Sequence, residues 1–160
     1  MKFETKNLCL RPLEREDLEI IHHHTSSYAH VSPHFTTKIR SRNYWEKRWD
    51  NSGLWDDSYG MLLMETQGTG IPFGVIWFFH SLPYAEGLEI GFNYFHLDAS
   101  YRDHLTDAVN IFTAYLFETY PIPRIQFNTI VSLSSKSTKI FSEKTGFVHE
   151  GTMRKAMFVR

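Results

Sequence analysis

The sequence predicts an α+β (α/β) domain with a mixed, mostly antiparallel central sheet and about four flanking helices. Three observations carry this reading. Three strand-like segments follow one another across tight turns, which makes them antiparallel neighbours. A long amphipathic helix then leads to a further strand, and such a crossover makes parallel neighbours. With 160 residues, 42% of them hydrophobic and 22% charged, the chain fits one domain spanning residues 1–160. Chains divide only beyond roughly 250–300 residues, and this one is too apolar for disorder.

The elements follow in order. Asn7 to Leu13 alternates like a strand and is stopped by Pro12. Glu14 to His24 reads as a helix with Leu18 and Ile21 inward and acids in its first turn, where the helix dipole favours them. His30 to His34 is loop because Pro33 removes a donor and restricts Ser32. A short helix runs from Arg40 to Trp49, and the turn cluster Asp56-Asp57-Ser58 precedes a strand over Tyr59 to Glu65. Gln67-Gly68-Thr69-Gly70 is a hairpin turn before a buried aromatic strand, Pro72 to His80. After a turn over Ser81 to Gly87, Leu88 to Phe95 forms the fourth strand.

Ala108, Ile111, Phe112, Tyr115 and Leu116 stand at i, i+3, i+4, i+7 and i+8 and make one apolar helix face, which Pro121 and Pro123 end. Arg124 to Val131 is the fifth strand. Ser134-Ser135 caps a helix carrying Ile140 and Phe141 that stops at Gly146. Phe147 to Arg160 reads as a last strand kinked near Gly151.

A net charge of -1 argues against binding nucleic acid by neutralising phosphates. The single cysteine, Cys9, excludes an internal disulfide and a cysteine-based zinc cluster. Met1 to Leu10 is polar and mixed in charge, unlike a signal peptide, and no apolar run approaches the ~18–20 residues of a membrane span. A soluble, cytoplasmic protein is expected. The unusual figure is 16% aromatic residues: 13 Phe, 8 Tyr and 4 Trp.

Several motifs in this order resemble the GNAT superfamily of N-acetyltransferases, in particular its ribosomal-protein N-terminal acetyltransferase branch. They are Leu10-Arg11-Pro12-Leu13, Glu89-Ile90-Gly91-Phe92, Thr106-Asp107-Ala108-Val109, Arg124-Ile125, Glu143-Lys144-Thr145-Gly146-Phe147 and Glu150-Gly151-Thr152-Met153-Arg154. The resemblance implies a sheet splayed between the fourth and fifth strands, with the pantetheine arm of acetyl-CoA lying beside the fourth. It also implies a glycine-rich loop for the pyrophosphate at the start of the third helix, where curled backbone and a helix N-terminus offer N–H donors.

On that resemblance the cofactor-binding candidates are the strand end Phe95, His96 and Leu97, the loop Ser100, Tyr101, Arg102, Asp103, His104, Leu105 and Thr106, and Ser135. This loop departs from the family pattern: both glycines are gone, and Asp103 brings a negative charge to a diphosphate site. Ser135 stands where the family has asparagine, and Ser142 where many members have a tyrosine acid. Glu89 and Ser142 are the catalytic candidates, Glu89 as the base that deprotonates an amine. The family's seventh strand would begin where this sequence ends, at Arg160, so a homodimer or an altered C-terminal topology is expected.

His22-His23-His24 suggests a metal, but consecutive helical residues diverge by roughly 100°. His30 and His34 have helical spacing in a segment that Pro33 keeps from being helical, so no metal site is expected. They are placed instead, with Trp45 and Trp49, as substrate-lining candidates. Packing between helix and sheet is the alternative for the two tryptophans.

The leading function is transfer of an acetyl (acyl) group from acyl-CoA to a primary amine of a small molecule or peptide. Direct attack by the amine is expected, because Cys9 belongs to the first strand. The alternative is a GNAT-fold protein without acyl-CoA use, either a small-molecule binder or an enzyme of other chemistry, and a homo-oligomeric accessory domain is the third reading.

Overall fold

The computed structural model describes residues 1–26, 40–80, 86–95, 101–129 and 141–153, without the side chains of Arg102 and Asp103. The chain divides into two compact units, Met1–Pro12 with Asp56–His149, and Leu13–Trp55 with Glu150–Arg160. No helix among the described residues is long and apolar enough to cross a membrane.

The first unit holds one six-stranded sheet whose strands lie in sequence order: β1 (Phe3–Glu4), β2 (Leu8–Pro12), β3 (Tyr59–Thr66), β4 (Pro72–His80), β5 (Leu88–Tyr94) and β6 (Ile125–Phe127). β1 to β5 are antiparallel neighbours, and β5 and β6 are parallel across the crossover helix α3 (Tyr101–Thr119). β4 has the bounds its apolar run predicts, and β3 and β5 differ from expectation by one residue at one end. β5 is therefore the fourth strand of the sequence reading, because the two residues of β1 are too few to show alternation.

The turns are built as their residues dictate. Asp56 Oδ1 accepts from the Ser58 N–H (2.8 Å), the Ser58 hydroxyl (2.7 Å) and the Tyr59 N–H (3.0 Å), which sets the start of β3. Gly68 and Gly70 take left-handed φ values of 86° and 63° in the β3–β4 hairpin. They are turn residues. The ladder slips by one residue between Met64 and Glu65, which leaves Phe73 unpaired in β4.

Cross-strand register sorts the residues onto two faces. Leu10, Leu62, Met64, Ile76, Phe78 and Ile90 share the face on which α3 packs, and Phe78 lies 6.3 Å from Phe112 of α3 between ring centres. The predicted stripe of α3 turns inward through Ala108, Phe112 and Leu116, all fully buried. Removing a ring such as Phe112 from this layer costs about 3–5 kcal/mol. The opposite face carries Cys9, Arg11, Glu65, Leu63, Val75, Trp77, Phe79, Glu89 and Gly91.

Two expected elements are corrected. The strand predicted over Phe147 to Arg160 does not form over residues 147–153, which carry no regular structure. Val148 and Met153 are 82% and 71% exposed there, so the apolar residues have no sheet face to satisfy. Residues 154–160 lie outside the described residues. Over the described residues the fifth strand is confined to Ile125–Phe127, with Asn128 and Thr129 exposed and outside the ladder, and Ile130 and Val131 lie outside the described residues. The fourth helix is described over residues 141–145 and ends as predicted: Gly146 has φ 75° and donates its N–H to the Ser142 carbonyl at 2.9 Å.

The second unit contains α1 (Asp17–Ser26) and α2 (Arg42–Ser52). α1 buries Leu18, Ile21 and His24. α2 starts two residues later than Arg40, because Ser41 caps it, its hydroxyl accepting from the Tyr44 N–H at 3.3 Å. Gly53 closes it with φ 61°.

Candidate active site around Glu89

Glu89 is the second residue of β5, paired with Phe79 of β4 on one side and Gln126 of β6 on the other. Its half-buried carboxylate has one hydrogen-bond partner: the Gln126 Nε2 donates to Glu89 Oε2 at 3.0 Å. Among the described residues no Lys, Arg or His lies within salt-bridge distance of it. Glu65, on the same face of the sheet, is tied to a cation, Arg11, at 2.7 Å. Glu89 is instead held by a neutral amide, which leaves its second oxygen able to accept a proton or a donor.

Beside it, Gly91 has no side chain because the Trp77 indole occupies the space. A Cβ at Gly91 would stand 2.6 Å from Cε2 and Cζ2 and 2.8 Å from Nε1 of the ring. The glycine of Glu-Ile-Gly-aromatic is thus a packing requirement, and the indole becomes an apolar wall next to the carboxylate.

The strands part immediately beyond this point. β5 and β6 share three rungs, Leu88–Ile125, Glu89–Gln126 and Ile90–Phe127. From Gly91 to Tyr94, β5 has β4 on one side and no strand on the other among the described residues. Such an edge offers backbone donors and acceptors to an extended ligand. The rings of Phe92 and Phe127 stack at 5.2 Å, and Phe141 (5.9 Å from Phe92) and Phe147 (6.3 Å from Phe127) complete an aromatic wedge.

At the expected pyrophosphate site the backbone differs from the expected loop. Residues 101–106 are the opening turns of α3. The cause is tertiary: the Tyr101 ring stacks on Phe73 at 4.9 Å and 8°, and His104 leans on Phe73 at 5.9 Å. The bulge that frees Phe73 from the β4 ladder therefore anchors the start of the helix. Leu105 is buried, Thr106 is half-buried, and His104 Nδ1 is buried without a hydrogen bond. Phe95 is also buried and donates its N–H to the Phe73 carbonyl at 2.8 Å. Among the described residues, what this segment offers an anion is the N-terminal N–H groups of α3 and their dipole.

Ser142 lies in the helical turn 141–145. Phe141 of that turn meets Phe92 on the α3 face of the sheet, whereas Glu89 is on the opposite face. The two catalytic candidates therefore belong to elements at opposite faces of the sheet, next to the point where β5 and β6 part. Trp45 and Trp49 both belong to α2: Trp45 is buried with its ring edge-on to Tyr44 at 5.2 Å, and Trp49 is half-buried. His30, His34, His96, Leu97, Ser100 and Ser135 lie outside the described residues, as do the side chains of Arg102 and Asp103. Cys9 is buried in β2, and burial first, then the charges of Glu65 and Glu4, push its thiol pKa up. That is an inert thiol. Gln126, Trp77 and Phe73 are the residues that reading the sequence missed.

No curated protein sequence matches the chain. Among solved structures it is similar to a ribosomal L7/L12 α-N-protein acetyltransferase in complex with coenzyme A, with a TM-score of 0.78 at 15% identity over 99% of this chain and 90% of that one. It is similar to a spermidine N-acetyltransferase from Vibrio cholerae in complex with CoA and spermine, with a TM-score of 0.75 at 19% identity over 98% and 89%. A GNAT-family acetyltransferase from Bacillus anthracis gives 0.73 at 19% identity over 98% and 89%. At such identities these likenesses speak for the fold. The family model described as acetyltransferase (GNAT) domain matches residues 7–148, running through β2, the splayed strands and the Gly146-Phe147 pair, and the chain therefore belongs to the GNAT acetyltransferase family.

Proposed function

We propose that this protein transfers an acetyl group from acetyl-CoA to a primary amine, with Glu89 as the general base and residues 1–160 working as one domain. The observation that carries the reading is the Glu89 carboxylate, held by the Gln126 amide and, among the described residues, by no cation, at the rung before β5 and β6 part. The edge of β5 from Gly91 to Asn93, beside which no strand runs among the described residues, fits an extended pantetheine arm, and the N-terminus of α3 at Tyr101 fits a diphosphate. Acetyl-CoA supplies the activated thioester, so that an N–C bond forms as a C–S bond breaks.

The chain's own residues do the rest. Glu89 accepts the proton that the attacking amine sheds. The Trp77 indole over Gly91 excludes water from one side and offers its face to an ammonium group before deprotonation. Ser142 is assigned as a hydroxyl donor toward the leaving thiolate. Substrates of two kinds occur among proteins of similar fold, a protein N-terminus and spermidine, and an amine of either kind suits a carboxylate beside an aromatic wall. The ribosomal-protein branch and a homodimer stay part of this proposal, the latter because the outer edge of β6 carries no further strand among the described residues.

Calorimetric titration with acetyl-CoA, followed by an assay of CoA release with a panel of primary amines, tests the reading. Saturable heat and amine-dependent release are expected. No heat and no thermal shift at millimolar acetyl-CoA would overturn it.

A further inference from the structure

We infer that Gln126 is a positioning residue for Glu89, an assignment that rests on the acyl-transfer reading above. The cross-strand register places the two residues directly opposite on β5 and β6, on the same face of the sheet. A carboxylate oxygen only accepts, so the Gln126 amide must present its NH2 group to Glu89 Oε2, and it does so at 3.0 Å. One carboxylate oxygen is thereby committed, and the other is left to face the substrate.

Three features make this more than a packing contact. The pair forms the middle of the three rungs that β5 and β6 share among the described residues, and one rung later the strands separate. The amide therefore fixes the carboxylate at the mouth of the gap, where a free glutamate side chain would sample several rotamers. The partner is neutral, so the hydrogen bond orients Glu89 without neutralising its charge as an arginine or lysine would. Finally, Phe79 and the Trp77 indole close the β4 side of the same face, so the carboxylate is guided from both flanks.

A double-mutant cycle on acetyl transfer tests the inference, using Gln126→Met, Glu89→Gln and the double variant. Gln126→Met keeps the side-chain length and removes the donor. It is expected to lower kcat about 10–100-fold, the usual effect of a small misplacement of a reacting group, while the KM for acetyl-CoA stays within about twofold. In the Glu89→Gln background the same change is expected to cost nothing further, because the group it positions is gone. Should Gln126→Met fail to fold, Gln126→Asn keeps an amide one methylene short and carries the same expectation. Equal losses in both backgrounds, or a raised KM for acetyl-CoA at unchanged kcat, would overturn the positioning role and leave acyl transfer standing. A wild-type protein that releases no CoA with any amine would instead overturn acyl transfer, and this inference with it.

Discussion

The indole of Trp77 lies across Gly91, closer than any side chain there would allow, with 2.6 Å between a Cβ on Gly91 and two ring carbons. Gly91→Ala must therefore push the ring off β5 or bend the strand. Overpacking of this kind costs about 1–3 kcal/mol, read as a lower thermal midpoint. Trp77→Leu in the same background should recover part of that loss. In the wild-type background, Trp77→Leu should raise the KM for a cationic amine and leave the KM for acetyl-CoA unchanged.

Arg11 and Glu65 hold β2 to β3 through a single carboxylate oxygen, which accepts from Nε at 3.0 Å and from Nη2 at 2.7 Å. Their side chains are only 15% and 12% exposed, so truncating one leaves a poorly solvated charge. Arg11→Met should cost about 2–4 kcal/mol by chemical denaturation without altering the KM for either substrate. This pair is a physical reason for arginine in Leu-Arg-Pro-Leu.

Cys9 yields a pH dependence. Its thiol pKa is raised in the folded protein, so the unfolded chain releases that proton first. The contribution is complete below the ordinary thiol range, roughly pH 8.5, and is lost as pH rises through the raised value. Stability should therefore fall on the alkaline side, and Cys9→Ala should remove part of that slope. Thiol reagents should react with the native protein far more slowly than with the denatured one.

Asp103 belongs to the first turn of α3, and on the proposed reading a carboxylate at that helix N-terminus disfavours a diphosphate bound there. Asp103→Asn should tighten acetyl-CoA by about two- to fivefold, the equivalent of the ~0.3–1 kcal/mol typical of such charges. Calorimetry at low and high salt checks it, the gain shrinking at high salt.

The extent to which the sequence was legible follows from how far each signal reaches along the chain. The bounds of β4 and the inward stripe of α3 rest on local periodicity and were readable directly. So were the turn role of Gly68 and Gly70 and the stop at Gly146. The start of α3 was not, because it depends on Tyr101 stacking on Phe73, a contact between residues far apart in sequence. Glu89 stands out through its motif, whereas Gln126 has no local signature. Only the β5–β6 register brings it opposite a residue 37 positions away. The strand expected from Phe147 does not form over residues 147–153, where the Phe147 ring turns to Phe127 and Phe141 while Val148 meets solvent. Alternation in a sequence shows which residues share a side, and not whether a sheet waits there.

In the proposed reaction Glu89 takes the proton of an attacking amine. CoA release at neutral pH, measured with saturating acetyl-CoA and an amine substrate, tests it in the wild-type protein and in Glu89→Gln side by side. Amine-dependent release is expected from the wild type and a fall of about 100-fold or more in kcat from the variant, with acetyl-CoA binding retained. Equal turnover by the two proteins would contradict this role of Glu89.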